Sequence, residues 1–477
     1  MHILDLIVFG AYLVGLLGIG AWFFRRDESA SDYYLGGRQM GSLHIGLSVV
    51  ATDVGGGFSI GLGGLGFTMG LAGSWMLFTG LIGAWLAAVW LIPRVKPNAA
   101  QYKFLTFPDL FGYHFGPREA VVAGVISAVG YLGFTSSQIV AGAKLASAVF
   151  PEVDYGSVLA IIGVIVVGYT ALGGLKAVVY TDTFQWIILM VGLVFVGIPV
   201  AYVAIGGWAA ISTTLEPSFF DLTAIEPVQL FNWFITIVPI WFVAMTLYQR
   251  IYATRTVKEA QRAWYIAGLF EWPIMAFMGV TLGLFARVAA DQGMFAAIGF
   301  ASAAGMDPEM GLPILLRTVL PVGVMGLLMA AYFSAIMSTA DSCLLAASGN
   351  VLSDLLVKFG LVPKHSSSAS RLVTVALGAV AVVLALYMES VLTVMLYSYA
   401  FMVSGLLVPV LAILVGRTAV PSAALGAMVV GGGVTILLSL GVGAGQLVLP
   451  LGLDPNAFGL SAATVTYAVV YRIGRPV

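Results

Sequence analysis

Residues 48–58 read SVVATDVGGGF and stand in the middle of an apolar stretch running from 41 to 70. Asp53 puts a carboxylate into a membrane-length segment, and Gly55, Gly56 and Gly57 follow it. Each interior glycine costs a helix about 1 kcal/mol against alanine, so three in a row invite a break. Broken backbone at that depth is tolerated where it lines a cavity or holds a ligand. The rival reading is close helix packing through small residues. Packing accounts for Gly61, Gly63, Gly64 and Gly66 further along, and leaves Asp53 unexplained.

The surroundings put this stretch in a membrane. The chain has 477 residues, 60% hydrophobic and 9% charged, with mean hydropathy +1.02. That is too little charge to cover the surface of a soluble domain, which runs near 25% charged residues. Apolar runs of about 20 residues, each long enough to cross some 30 Å of hydrocarbon, recur along the chain. Short alternating strands of the barrel type are absent. The sequence predicts an all-α polytopic membrane protein of about 13 spans. These lie near 3–24, 41–70, 72–93, 120–148, 156–173, 178–203, 231–250, 264–287, 319–350, 372–388, 391–415, 419–442 and 457–472. The first run is too long for a signal-peptide core and reads as a retained span. Of the 21 lysines and arginines, all but Lys144, Arg287 and Arg317 fall on one side of this arrangement. By the positive-inside rule that side is cytoplasmic, which puts the N-terminus outside and the C-terminus inside a plasma (inner) membrane. The net charge of −1 points to no partner. The single Cys343 excludes a disulfide framework and a cysteine metal site.

A second interruption is expected at 237–241, IVPIW, where Pro239 removes a backbone donor. A simple kink is the alternative. The two interruptions open the second and seventh spans, five helices apart. Paired breaks at corresponding positions mark inverted-repeat transporters with a site at mid-depth. The expected divisions are 1–40, an extra helix and loop; 41–203, the first five-helix repeat; 204–230, an external loop; 231–415, the second repeat; and 416–477, two further helices.

Residues 331–350, AYFSAIMSTADSCLLAASGN, carry a polar stripe through another apolar run. Ser334, Ser338, Asp341 and Ser342 follow i, i+4, i+7, i+8 spacing, one face of a helix. Four acids lie in or near spans: Asp53, Asp182, Glu271 and Asp341. Each intramembrane carboxylate costs about 2.5–3.5 kcal/mol on insertion scales. No basic residue is expected at their depth, so a bound cation offsets the charge economically. Na+ suits carboxylate, hydroxyl and carbonyl oxygens. The alternative is that one or two acids are protonated or sit in an interfacial water layer, and Asp182, near the cytoplasmic start of its span, is the acid most open to it.

Several separate blocks together resemble the sodium:solute symporter family across nearly the whole chain. They are YYLGGR at 33–38, YTALGGLKAV at 169–178 with TDTFQ at 181–185, YQR at 248–250 with KEA at 258–260, and MSTADS at 337–342. The resemblance implies a LeuT-like core of five plus five helices and Na+-driven alternating access. Carried over by position, a main sodium site uses the Ser338 and Thr339 hydroxyls with the carbonyls of Ala51, Val54 and Ala335. A second site, present in some members, would use Asp182, Ser338, Asp341 and Ser342. Residues 54–57 and 337–342 are also similar to choline transporters, but those carry tryptophan where this chain has Asp53 and another near Ala244. Proline symporters carry an aspartate equivalent to Asp53. The resemblance therefore implies an amino-acid-like or amine-bearing solute, with Asp53, Phe58, Gln138, Trp241 and Tyr399 as candidate contacts. Each aromatic has core packing as its alternative, and Gln138 a bond to a neighbouring helix.

The expectation is a symporter that moves a small organic solute inward with Na+, in contact with lipid and requiring no nucleic acid or obligate protein partner. Proton coupling, or Na+ symport of a sugar or monocarboxylate, are the alternatives. The four histidines are scattered and no hydrolase or metalloprotease spacing occurs, so an enzyme is not expected.

Overall fold

The computed structural model describes residues 2–24, 34–35, 38–363 and 366–474. Among these, every regular element is helical, and an isolated bridge joins Met40 to Thr254. Proline opens helices at Pro117, Pro227, Pro308, Pro421 and Pro455, where a missing N–H costs nothing and the fixed φ is already helical. Asp154, Asp307, Ser366 and Ser390 accept from first-turn N–H groups, Asp307 on the helix that Pro308 opens.

The first half of the chain forms α1 (Ile3–Phe24), α2 (Ser42–Met69), α3 (Trp75–Leu86), α4 (Ile92–Gln101), α5 (Pro108–His114), α6 (Pro117–Val149) and α7 (Tyr155–Gly192). The second forms α8 (Pro227–Val243), α9 (Met245–Ala253), α10 (Val257–Leu269), α11 (Ala276–Asp291), α12 (Pro308–Val319) and α13 (Val324–Gly349). Then come α14 (Ser367–Ala385), α15 (Val391–Leu414), α16 (Pro421–Gly443) and α17 (Pro455–Gly474). Helix α13 is the axis. In its span, Val324–Leu356, 89% of the apolar window is buried in protein, against 28% for Pro421–Gly443. It packs on α1, α2, α6 and α7, while α15, α16 and α17 pack on one another.

Nine helical stretches among the described residues are long and apolar enough to cross a bilayer, ten if the bent pair α8–α9 is one span. The thirteen spans expected from hydropathy include stretches, such as 3–24 and 41–70, that the described side chains cover only in part.

The break in α2 falls at Gly55 (φ 4°, ψ −157°). A Cβ there would stand 1.6 Å from Thr339 Oγ1, so only glycine lets the broken backbone lie against α13. The Ser59 hydroxyl donates to the Gly55 carbonyl at 2.7 Å and satisfies a group the break releases. Farther along, packing decides. A Cβ on Gly66 would meet Val280 O at 2.1 Å, and one on Gly283 the Gly63 carbonyl at 2.0 Å, so α2 and α11 meet backbone to backbone.

The second break is at Ala244 (φ −74°, ψ 114°), where α8 and α9 diverge by 41°. It is not at Pro239, which lies inside α8. Proline removes one donor and the helix continues past it. At Ala244 tertiary partners take over the backbone: Tyr248 Oη donates to Phe242 O at 2.8 Å, and the Thr246 N–H donates to Tyr131 Oη at 3.2 Å.

Candidate functional site

The break in α2 and the polar stripe of α13 meet at Thr339. Its hydroxyl donates to the Ala51 carbonyl at 3.0 Å and lies 3.3 Å from the Ala335 carbonyl. Thus Ala51, Ala335 and Thr339 converge as a neutral, buried, oxygen-only group at the breakpoint. Hard cations are held by such oxygens. Val54 lies on the same turn of α2. The side chains of Asp53, Val54 and Phe58 fall outside the described residues.

The Ser338 hydroxyl turns to the other side and donates to Asp182 Oδ1 in a short bond. Asp182, on α7, is fully buried and also accepts from Ser48 Oγ at 2.5 Å. Here the expectation that no basic residue reaches the acids is overturned. Arg250 is fully buried, and its Nη2 lies 3.4 Å from Asp182 Oδ2. Hydropathy assigns Arg250 to the cytoplasmic edge of a span. In the structure α9 continues beyond the Ala244 break through Ala253, every residue of it buried, and carries the guanidinium inward. Its Nη2 donates to Ser342 Oγ at 2.9 Å and makes a short bond to Thr52 Oγ1. Its Nε donates to Ser48 Oγ at 3.0 Å and its Nη1 to Thr246 O at 3.2 Å. A buried ion pair needs this saturation by hydrogen bonds to offset its desolvation.

Three of the four residues expected for a second cation site, Asp182, Ser338 and Ser342, therefore gather around Arg250. Asp341 faces elsewhere: its Oδ1 accepts from Thr170 Oγ1 on α7 at 2.5 Å, and Oδ2 has no hydrogen-bond partner among the described residues.

Of the candidate solute contacts, Tyr399 packs on α6, and the Gln138 side-chain amide donates to Ser137 Oγ at 3.2 Å. On α6, Tyr131, Phe134 and Gln138 succeed one another along a face. Tyr131 bonds Thr246 Oγ1 at 2.9 Å beside the second break, and Phe134 meets Tyr399 of α15 edge-on at 5.0 Å. Trp241 packs against α3 and α10. A Cβ on Gly83 of α3 would stand 2.4 Å from its Cδ1, and it packs edge-on against Trp264 of α10 at 6.4 Å. Ser48, Thr52, Tyr131, Thr170, Thr246 and Arg250 escaped the reading of the sequence. Ser48 and Thr52 stand one helical turn apart beside Asp53, a polar pair that α-helical periodicity brings to one face.

At the other end of the molecule a second charged cluster closes over the helix ends. Lys144 Nζ on α6 lies 2.6 Å from Asp307 Oδ2 and 2.5 Å from Glu309 Oε2. Glu309 on α12 also accepts from the Val391 and Leu392 N–H groups, both at 3.0 Å, and from Ser390 Oγ at 3.1 Å. The start of α15 is thereby tied to α12 and α6.

Two broken helices, a polar axial helix between them and an oxygen group at the first break define a multi-pass, cation-coupled secondary transporter with a LeuT-like core. The sodium:solute symporter family model matches residues 33–431, and the chain belongs to that family. It is a Na+-coupled symporter of a small solute, not an enzyme. Among its relatives, the high-affinity proline transporter PutP of Bacillus subtilis is 30% identical over 390 residues, 78% of each chain. The osmoregulated proline transporter OpuE of the same organism is 29% identical over 455 residues, 92% of this chain and 89% of that one. A sodium/proline symporter of Haemophilus influenzae is 28% identical, covering 74% of this chain and 71% of its own. In fold, the chain is similar to a Na+-coupled sialic acid symporter solved in a substrate-bound outward-open state. The TM-score is 0.78 at 21% identity, over 99% of this chain and 98% of that one.

Proposed function

We propose that this transporter carries a small amino-acid-like solute, proline or a compound of its size and charge, into the cell with Na+. The observation that carries the coupling half of this reading is the Thr339–Ala51 junction. A Na+ held by the Ala51, Val54 and Ala335 carbonyls with the Thr339 hydroxyl, joined by the Ser338 hydroxyl once it leaves Asp182, would bind α2 to α13 and complete the solute pocket beside the break. Na+ then favours the solute-binding state by its own differential affinity for it. Asp53 stands next to that junction in sequence and is the carboxylate for the solute's ammonium. Phe58, Gln138 and Tyr399 complete the pocket, while Trp241 braces α8. The proline transporters among the relatives support this choice of solute.

Arg250 bears on the number of ions. Its guanidinium already neutralises Asp182 and engages Ser342, so one mobile Na+, at the Thr339 junction, couples to each solute. A second Na+ enters only where Arg250 withdraws. The distribution of basic residues supports an external N-terminus, a cytoplasmic C-terminus and the plasma membrane. The breaks at Gly55 and Ala244 support repeats bounded at 41–203 and 231–415. The test is uptake into proteoliposomes of proline, other amino acids, sugars and monocarboxylates, with Na+ replaced by K+ at fixed pH. Proline uptake that collapses without Na+ is expected. Uptake indifferent to Na+ refutes the coupling, and uptake confined to a sugar or monocarboxylate refutes the solute.

A further inference from the structure

Away from the transport path, a groove of about 500 Å³ opens between α15 and α17, with Trp90 at its edge. Its two walls have the same construction. Val408, Leu411 and Val415 form one apolar face of α15 at i, i+3, i+7 spacing, and the wall ends at Arg417, just past the helix. Opposite, Thr464 and Ala468 precede Arg472, in the last turn of α17. The Tyr467 hydroxyl donates to the Arg417 carbonyl in a short bond, which holds the two basic ends together. Tyr467 and Tyr471 stack beside them with ring centroids 5.8 Å apart, as phenols do at headgroup depth.

Among the described residues, no carboxylate lines the groove and neither guanidinium forms an ion pair. Arg94 lies one turn beyond Trp90 and donates to its carbonyl at 3.0 Å, adding a third guanidinium near the same rim. Val415 and Val469, 55% and 49% exposed, are open to the bilayer. An apolar channel that faces lipid and ends in unpaired guanidinium groups is complementary to a molecule with fatty chains and an anionic head.

We propose that this groove is a binding site for one anionic glycerophospholipid, with the phosphate between Arg417 and Arg472 and an acyl chain along the Val408–Val415 face. Basic pockets between transmembrane helices recognise lipid headgroups in this way. A second copy of the chain is the other occupant with suitable apolar chemistry, but its approach would leave the arginines without counter-charge.

The experiment uses the full-length, delipidated protein in neutral detergent, titrated with phosphatidylglycerol or phosphatidylcholine and followed by native mass spectrometry. Retention of one phosphatidylglycerol in preference to phosphatidylcholine is expected. At roughly fivefold per cation near the membrane surface, Arg417→Gln/Arg472→Gln should reduce that preference on the order of 25-fold. Ala468→Trp, which fills the groove and keeps both charges, should abolish retention. The site is refuted by equal retention of the two lipids in the wild type, or by a preference unchanged in the double variant. A dimer that Ala468→Trp dissociates while lipid retention stays constant refutes it in favour of a second copy.

Discussion

Replacing Arg250 by glutamine tests whether this side chain stands in for a second ion. Arg250 and Asp182 are both fully buried, so solvent does not screen their interaction. The substitution leaves the Asp182 carboxyl group with only the Ser48 and Ser338 hydroxyls, and removes the donor shared by Thr52 and Ser342. Breaking one partner out of a buried pair costs about 3–5 kcal/mol. That loss should appear in full in thermal unfolding of the detergent-solubilised protein in K+ without Na+. The vacated carboxylate and hydroxyls then suit Na+, and an ion at 100 times its dissociation constant restores about 2.7 kcal/mol. The variant should therefore gain more stability from Na+ than the wild type does. Its Na+ dependence of uptake should steepen from a Hill slope near one towards two. Asp182→Asn/Arg250→Gln, which removes both charges, should recover most of the stability without the added Na+ response. An Arg250→Gln protein with wild-type stability and a wild-type Na+ response refutes the resident-cation reading.

Thr339→Ala removes the hydroxyl at the junction with Ala51. With a charge-assisted contact worth roughly 1.5–3 kcal/mol, the Na+ concentration for half-maximal uptake should rise at least about tenfold with folding retained; ion replacement in uptake assays measures it. Gly55→Ala forces a Cβ to within 1.6 Å of Thr339 Oγ1. Such overpacking costs about 1–3 kcal/mol, and uptake should fall further than stability does because the cation junction is displaced. Glu309→Gln weakens the bond to Lys144 and the cap on the start of α15. A loss of about 2 kcal/mol is expected, read by thermal unfolding, together with faster labelling of a cysteine at Gly61 by an impermeant reagent.

Much of this architecture was legible because it rests on bulk properties. Apolar length predicts spans, and three glycines beside Asp53 predict the break that falls at Gly55. Pro239 misled because a missing donor is a local property, whereas the break at Ala244 depends on hydroxyls from Tyr131 and Tyr248 that receive the freed backbone groups. Arg250 shows the same limit more sharply. A hydropathy window averages a guanidinium with its neighbours and places it at the membrane edge. Its true depth is set by oxygens on α2, α7 and α13, which sequence distance separates by 202, 68 and 92 positions. The contact of Phe134 with Tyr399 is likewise a property of packing between α6 and α15 that neither segment reveals alone.

A charge borne on a side chain differs from a dissolved ion in one respect that matters for energy conversion: it returns with the protein. On the proposed coupling of one Na+ per solute, Arg250 stays with Asp182 through the cycle and contributes nothing to the net charge that crosses the membrane. The electrical work per cycle of a neutral solute is then that of a single Na+, about 2.3 kcal/mol for each 100 mV. This corresponds to an accumulation limit of roughly 50-fold per 100 mV before the sodium gradient is counted. A second mobile ion would square that factor and consume twice the sodium. A transporter that tethers one of its cations in this way trades depth of accumulation for economy of ions.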